Sequence, residues 1–323
     1  MGPHALNASC DMTYDDFMAQ WLDSSLFISA HTSGSTGSPK PVSLLKSDMM
    51  ASARATNAFF EIGECAIFHC PLSLDYIAAK MMAVRAFMAA GKAFFETPSN
   101  NPHFIACDLL AIVPSQVDAL INNKDIIPLI KNIIIGGAPL SDERRHKLVE
   151  CKANAFETYG MTETCSHIAL KKITSNDDAP FVALPGITFS LDSRGCLCAK
   201  LPHMSIKQVV TNDLAVIISS TSFRWLGRYD SIINSGGIKI IPEELEQQLR
   251  KYLEQSITFY ITSAPDPKWG EKVVLVVEAG ENNINNIQQA LDKIPSTHRP
   301  KEIICVKNIE HTSNGKIRRT KLL

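Results

Sequence analysis

Long apolar runs are missing from this chain. The longest, such as Met81–Val84 and Val273–Val277, are far too short to cross a bilayer, so insertion into a membrane is not expected. The first residues, Met1–Cys10, lack a basic segment followed by an apolar core, so no secretory signal is read there. Charge of one sign is missing too: Lys+Arg 32 nearly cancels Asp+Glu 33. With no basic stripe, nucleic acid and anionic membrane surfaces are not expected as partners. Paired metal-ligand cysteines are absent as well. Of the 9 cysteines the nearest pairs, Cys65/Cys70 and Cys196/Cys198, lack zinc-site spacing. An odd number without an export signal reads as reduced thiols, mostly small buried hydrophobes, in a cytoplasmic protein.

What is present is the balance of a folded globular protein: 323 residues, 45% hydrophobic and 20% charged. That length suggests two folding units, or one large unit with an appendix. Short β-branched runs alternate with amphipathic or Ala-rich stretches, the pattern of an α/β protein. Ile133–Ile135 reads as a buried strand ending at Gly136-Gly137. A helix over Ser141–Cys151 follows, with Ser141 as N-cap and Asp142 and Glu143 in its first turn. Ala153–Glu157 reads as the next strand. From Pro185 to Ser220 short strands (Gly186–Leu191, Cys196–Ala199, Lys207–Val210, Ala215–Ser220) are broken by Gly, Pro and Asn-Asp, which predicts a β-rich subdomain. After Arg228 the pattern changes again. A helix starts at Pro242, which suits a first-turn proline, and two strands, a helix and a strand then form a small α+β unit. The predicted division is 1–229 and 230–323.

Five segments carry chemistry. Thr32-Ser33-Gly34-Ser35-Thr36-Gly37-Ser38-Pro39-Lys40 is dense in hydroxyls and glycines and ends on a cation. Such a loop lets backbone N–H groups and hydroxyls approach phosphate oxygens, although its spacing is not that of a Walker A loop. A flexible Ser/Gly linker is the alternative. Glu157-Thr-Tyr-Gly-Met-Thr-Glu163 follows a predicted strand. Tyr159 there suits a base, Thr162 a phosphate and Glu163 a Mg²⁺ ion, while a plain strand-end turn would account for the segment equally well. Asp213, with Gly227-Arg228-Tyr229-Asp230 further on, suits a ribose diol and a phosphate; Asn212-Asp213 reads equally as a hairpin turn. Ser235-Gly236-Gly237-Ile238-Lys239 is a glycine turn feeding a helix, and Asn314-Gly315-Lys316-Ile317-Arg318-Arg319 would by composition be a solvated basic end.

In this order the five segments resemble the adenylate-forming superfamily of acyl-CoA synthetases, peptide-synthetase adenylation domains and luciferases, from about Leu26 to Arg319. The resemblance implies a large N-terminal α/β domain with a β-rich subdomain and a small mobile α+β C-terminal domain. It implies that Thr32–Lys40, with Thr32, Ser33, Gly34, Ser35, Thr36, Gly37 and Lys40, grips the triphosphate of ATP. Gly136, Gly137 and Ala138 would flank the adenine, Tyr159 beside Gly160 would stack on it, and Thr162 and Glu163 would serve phosphate and Mg²⁺. Asp213 and Arg228 would hold the ribose, although Thr211-Asn212-Asp213 stands where the family usually has Thr-Gly-Asp. Asp230 would be the hinge, Lys316 the mobile catalytic lysine, and Gly236, Gly237 and Lys239 the loop offered to CoA. The family commonly begins with a further subdomain; here the loop starts at residue 32, so surface shared with that part would be missing or supplied by a second copy of the chain. The implied reaction has two steps: a carboxylate attacks the α-phosphate of ATP, and a thiol then displaces AMP from the acyl-adenylate.

The acid is addressed by fewer residues. Ile77–Ala90 is apolar almost all round yet holds Lys80 and Arg85. A buried Arg needs an anionic partner, either a second carboxylate on the substrate or a structural acid such as Asp75 or Glu96. Pro71–Lys80 and Gly160–Leu170 resemble the o-succinylbenzoate:CoA ligases of menaquinone synthesis, especially the short bacterial form. That resemblance places Arg85 and Lys80 on the substrate side and has Ser166 and His167 line the acyl pocket. A buried histidine is also commonly a core residue, and Tyr76 stands where many relatives carry His. The rival readings are a ligase for another aromatic or short-chain acid and a non-catalytic nucleotide-binding regulator.

Overall fold

The computed structural model describes residues 12–31, 41–175, 179–254, 257–278, 284–310 and 317–319. Helix α1 (Tyr14–Leu22) opens on a capping box, in which Thr13 Oγ1 accepts from the Asp16 N–H and Asp16 accepts from the Thr13 N–H. The antiparallel pair β1 (Phe27–His31) and β2 (Pro41–Leu45) leads into α2 (Lys46–Phe59). Then come β3 (Ile67–Cys70), α3 (Ile77–Met88), β4 (Lys92–Phe95), β5 (Leu109–Ile112), α4 (Val117–Asn122), β6 (Ile133–Ile135), α5 (Asp142–Glu150) and β7 (Ala155–Gly160). Six strands follow without an intervening α-helix: β8 (His167–Lys172), β9 (Phe181–Ala183), β10 (Thr188–Leu191), β11 (Cys196–Lys200), β12 (Gln208–Ser219) and β13 (Ser222–Arg228). The remainder holds β14 (Ile233–Ser235), β15 (Ile238–Ile240), α6 (Pro242–Arg250), β16 (Thr258–Asp266), β17 (Gly270–Glu278), α7 (Ile284–Leu291) and β18 (Glu302–Val306).

Strands β3 to β13 form one 11-stranded sheet in the order β10-β11-β12-β13-β9-β8-β7-β6-β5-β3-β4. From β4 to β7 neighbours run parallel, and from β7 onward they run antiparallel. The expected β-rich subdomain is therefore bonded edge to edge onto the parallel sheet, through the β7–β8 ladder. The parallel strands are apolar on both faces because helices cover both. Along β5 and β6, Leu109, Ala111 and Ile134 join the core under α1, α2 and α3. Leu110, Ile112, Ile133 and Ile135 join the core under α4 and α5.

Strand order reverses between β3 and β5, since the chain leaves β3 for β4 on one side and returns to β5 on the other. In open α/β sheets such a switch point opens a crevice beyond the carboxyl ends of the strands, where ligands bind. The second sheet holds five strands, β15-β14-β17-β16 with β18 parallel to β17, and has its own apolar clusters built from Ile233 onward. Helix α6 packs against β13. Gly227 permits this: a Cβ there would meet Glu243 Oε2 at 2.5 Å and Ile241 Cγ2 at 2.6 Å. No helix among the described residues is long and apolar enough to cross a membrane.

Candidate active site

The parallel strands deliver the expected site segments to one edge of the sheet. Cys70 closes β3, Ile112 closes β5, Ile135 closes β6 ahead of Gly136-Gly137, and Gly160 closes β7 ahead of Thr162 and Glu163. Gly136 lies against β7, where a Cβ would meet Thr158 Oγ1 at 2.4 Å, and Gly137 has φ +90°, so both positions favour glycine. Gly160 is equally constrained. A Cβ on it would sit 2.4 Å from the Ser166 carbonyl oxygen and 2.5 Å from His167 Cα, because β8 turns back directly onto β7.

Thr162–Thr164 forms one short 3₁₀ turn between β7 and β8. The buried Thr164 hydroxyl locks it, accepting from the Met161 N–H at 3.1 Å and lying within donor reach of the Met161 and Ser166 carbonyls, and Cys165 takes a left-handed conformation (φ +61°). Glu163 is exposed on this turn, and among the described residues its carboxylate has no partner. A free carboxylate beside a threonine hydroxyl is a donor set that suits a hard cation shared with phosphate oxygens. No group of three or more His, Cys, Asp or Glu able to hold a metal by themselves occurs among the described residues, so a cation here would rely on its phosphate ligands. Glu157, by contrast, is a structural acid, ion-paired with Arg145 and, at 3.5 Å, with Lys171.

Asp213 lies inside β12, opposite Arg228 on β13, so the hairpin-turn alternative for Asn212-Asp213 is excluded. Its carboxylate is buried and accepts from the Tyr159 hydroxyl at 2.6 Å and from Trp225 Nε1 at 3.2 Å; Arg228 lies 3.6 Å away. Burial first, and then the Asp213 charge, push the Tyr159 phenol far above its usual range, so it stays a proton donor. A carboxylate offers about four lone-pair sites, and with two filled Asp213 can still accept from a vicinal diol. Arg228 also makes a two-point pair with Asp230 (both bonds 3.0 Å), which raises the arginine and lowers the acid. Asp230 itself sits in a 3₁₀ turn between the two sheets. Trp225 was not singled out in the sequence, since a lone Trp in a strand carries no signal of what it touches.

On the other wall, eight consecutive residues of α3, Ala79–Ala86, are buried, as the apolar run predicts. Lys80 is buried and donates to the Ser29 carbonyl of β1 at 2.8 Å, tying α3 to that strand. Arg85 is 2% exposed, and no carboxylate among the described residues lies within ion-pair distance of it. Neither suggested structural acid serves it: Asp75 accepts from Ser73, while Glu96 accepts from His69 and from the His103 N–H. Among the described residues its guanidinium makes one hydrogen bond, from Nη2 to Ser166 Oγ at 2.6 Å, and its Nε is buried without a partner. Burial lowers Arg85 to about 10, which leaves it cationic at neutral pH. His167 is pushed well below the ordinary histidine range by burial and then by the Arg85 charge, so its ring is neutral.

Helix α2 supplies residues that the sequence reading missed. Ser52, Thr56 and Asn57 are all buried. Ser52 bonds Ser166 at 3.0 Å, Thr56 bonds His167 Nε2 at 3.1 Å, and Asn57 Nδ2 donates to the Arg85 carbonyl at 3.0 Å. The signal was available: Asp48, Ser52 and Thr56 recur every fourth residue, one polar stripe on a helix. A cavity of about 30 Å³ adjoins it, lined by Ser52, His167, Leu184, Pro185 and Met204 among others.

The hairpin β14–β15 turns through Gly236 (φ +59°) and Gly237 (φ +81°), the two-residue turn that needs positive φ twice. Gly236 also lies under Trp269, whose ring a Cβ would meet at 2.6 Å; Lys239 is exposed beside it. Thr32, Ser33, Gly34, Ser35, Thr36, Gly37, Lys40 and Lys316 lie outside the described residues.

The family model described as "AMP-binding enzyme" matches residues 14–192, more than half of the chain. The chain belongs to the AMP-binding enzyme family. Among members of this family, a 2-succinylbenzoate–CoA ligase of Listeria monocytogenes is 25% identical over 98% of this chain and 73% of its own length. An acyl-CoA synthetase (AMP-forming)/AMP-acid ligase II-like protein from Dyadobacter fermentans is 31% identical in structural superposition, TM-score 0.63, covering 94% of this chain and 90% of that one. The Bacillus subtilis o-succinylbenzoate CoA synthetase, solved with the acyl-adenylate OSB-AMP, shares the fold at TM-score 0.72 and 18% identity, over 90% of this chain and 67% of that one.

Proposed function

We propose that this chain is an ATP-dependent acid:CoA ligase that works through an acyl-adenylate, and that its acid is an aromatic dicarboxylic acid of the 2-succinylbenzoate kind. The observation that carries the acid is Arg85. A guanidinium removed from water costs several kcal/mol unless an anion faces it, and here the protein supplies a serine hydroxyl instead of an acid. A monocarboxylic acid spends its only carboxylate on the α-phosphate, whereas a dicarboxylic acid has a second one for Arg85. Relatives named 2-succinylbenzoate–CoA ligase support the same reading.

In this reading Asp213 accepts from the ribose hydroxyls, oriented by Tyr159 and Trp225. Gly136-Gly137 gives the base an edge of backbone without side chains, and the Thr32–Lys40 loop holds the phosphates. Thr162 and Glu163 would hold Mg²⁺, which supplies positive charge against the triphosphate when bound. The first step gathers negative charge at an already anionic phosphorus, so cations must stand in place beforehand, and Lys316 is the chain's own cation for that task. We divide the chain at Asp230: residues 230–323 carry Lys316 and the Gly236–Lys239 turn, and their rotation about Asp230 would withdraw one and present the other to CoA. Separate apolar clusters on either side of residue 230 support that division. The reaction belongs in the cytoplasm, where ATP and CoA are available and thiols stay reduced.

Pyrophosphate release with ATP, Mg²⁺, CoA and a panel of o-succinylbenzoate, benzoate, butyrate and a long-chain fatty acid tests this. The expected result is strong preference for o-succinylbenzoate. Release with another acid alone would retain the ligase and discard the dicarboxylic substrate; no release with any would favour a nucleotide-binding regulator.

A further inference from the structure

The half-buried Ser166 hydroxyl touches the Arg85 guanidinium, and the buried hydroxyls of Ser52 and Thr56 on α2 stand behind the bend that carries it. Ser166 Oγ accepts from Arg85 Nη2 at 2.6 Å and lies 3.0 Å from Ser52 Oγ on α2. One turn further along α2, the Thr56 hydroxyl donates to the Ser52 carbonyl at 3.2 Å. The same hydroxyl shares a 3.1 Å hydrogen bond with His167 Nε2. Asn57 holds the backbone of Arg85 itself. Helix α2 thus grips both residues of the β7–β8 bend, Ser166 and His167, and the turn of α3 that bears the cation.

Ser166 occupies the bend after Cys165, a non-glycine residue at φ +61°. Its side chain is partly buried, and its hydroxyl is steadied from α2 by Ser52 alone among the described residues. Without that hydroxyl Ser166 is free to change rotamer, and the guanidinium loses its fixed acceptor. Because no carboxylate among the described residues holds Arg85, its aim depends on this two-serine relay.

We infer that Ser52 is a specificity-determining positioning residue: through Ser166 it aims Arg85, and thereby sets the preference for an acid with a second carboxylate over one without. The inference rests on the reading of Arg85 proposed above. Ser52 acts at one remove, so its removal acts on discrimination between acids and leaves the chemistry of adenylation in place.

The test compares kcat/KM for o-succinylbenzoate with that for a monocarboxylic analogue lacking the ring carboxylate, in wild type, Ser52→Ala, Ser52→Thr, Arg85→Leu and the Ser52→Ala/Arg85→Leu double variant. Ser52→Ala is expected to lower the dicarboxylate preference about tenfold, the size of one hydrogen bond to a charged group, through KM and with kcat little changed. Ser52→Thr, which keeps the hydroxyl, should restore most of the preference. In the Arg85→Leu background Ser52→Ala should change the ratio no further. A preference that survives Ser52→Ala, or effects of the two substitutions that multiply, would overturn the role of Ser52 while leaving that of Arg85. A wild type with no dicarboxylate preference would overturn both. Thermal unfolding of each variant separates lost packing from lost aim: a ratio that falls only in proportion to lost folded protein would also count against the inference.

Discussion

His167 is buried between a threonine hydroxyl and the field of a cation, and it is neutral for that reason. Its protonation therefore enters stability with a definite sign. The unfolded chain's histidine takes up a proton near 6.5, and the native ring takes it up only well below that. Stability from this residue is present in full above pH 6.5 and is lost as pH falls from there toward the native value, since the unfolded state binds the extra proton. His69, also lowered mainly by burial, acts in the same direction. Denaturant unfolding measured between pH 7.5 and 5 should show the loss, and His167→Gln should reduce its slope by up to about 1.4 kcal/mol per pH unit. An unchanged slope would mean that His167 is not held neutral.

Elements explain which parts of this arrangement were legible in the sequence. Buried parallel strands such as Ile133–Ile135 announce themselves by β-branched runs, and Ser141 announces α5 by capping it. Asp213 was ambiguous because Asn-Asp favours turns. Twelve residues from Gln208 to Ser219 nevertheless form one strand, with a bulge at Leu214/Ala215, because β11 and β13 pair with it on both sides. The partner of Arg85 was illegible for a different reason: it is a serine from a bend in another part of the chain, and sequence spacing suggests only nearby acids such as Asp75. That bend depends on Gly160. Gly160→Ala should cost about 1–3 kcal/mol, because backbone atoms of β8 stand in the way and cannot yield as a side chain would. Urea unfolding of the variant checks this, and a cost near zero would mean that the β7–β8 turn relaxes freely.

At the scale of the whole molecule, the two sheets meet where Gly227 lets the first turn of α6 approach β13. Within residues 230–323, beside this contact, Ser231 donates to Glu243 at 3.1 Å, and Arg319 reaches the same acid at 3.8 Å and Glu246 at 2.5 Å. A Cβ at Gly227 would collide with Glu243 and Ile241, so Gly227→Ala should loosen the junction and speed tryptic cleavage at Arg228 relative to wild type. Unaltered cleavage would mean that the contact contributes little to the resting arrangement. The central claim, however, is that a buried cation with no counter-ion among the described residues selects the acid. The direct measurement is the ratio of kcat/KM for o-succinylbenzoate to that for its monocarboxylic analogue in wild type and in Arg85→Leu. The account predicts that the ratio falls roughly 100-fold, the loss of a buried ion pair, mostly through KM for the dicarboxylate. A ratio unchanged by the substitution would contradict it.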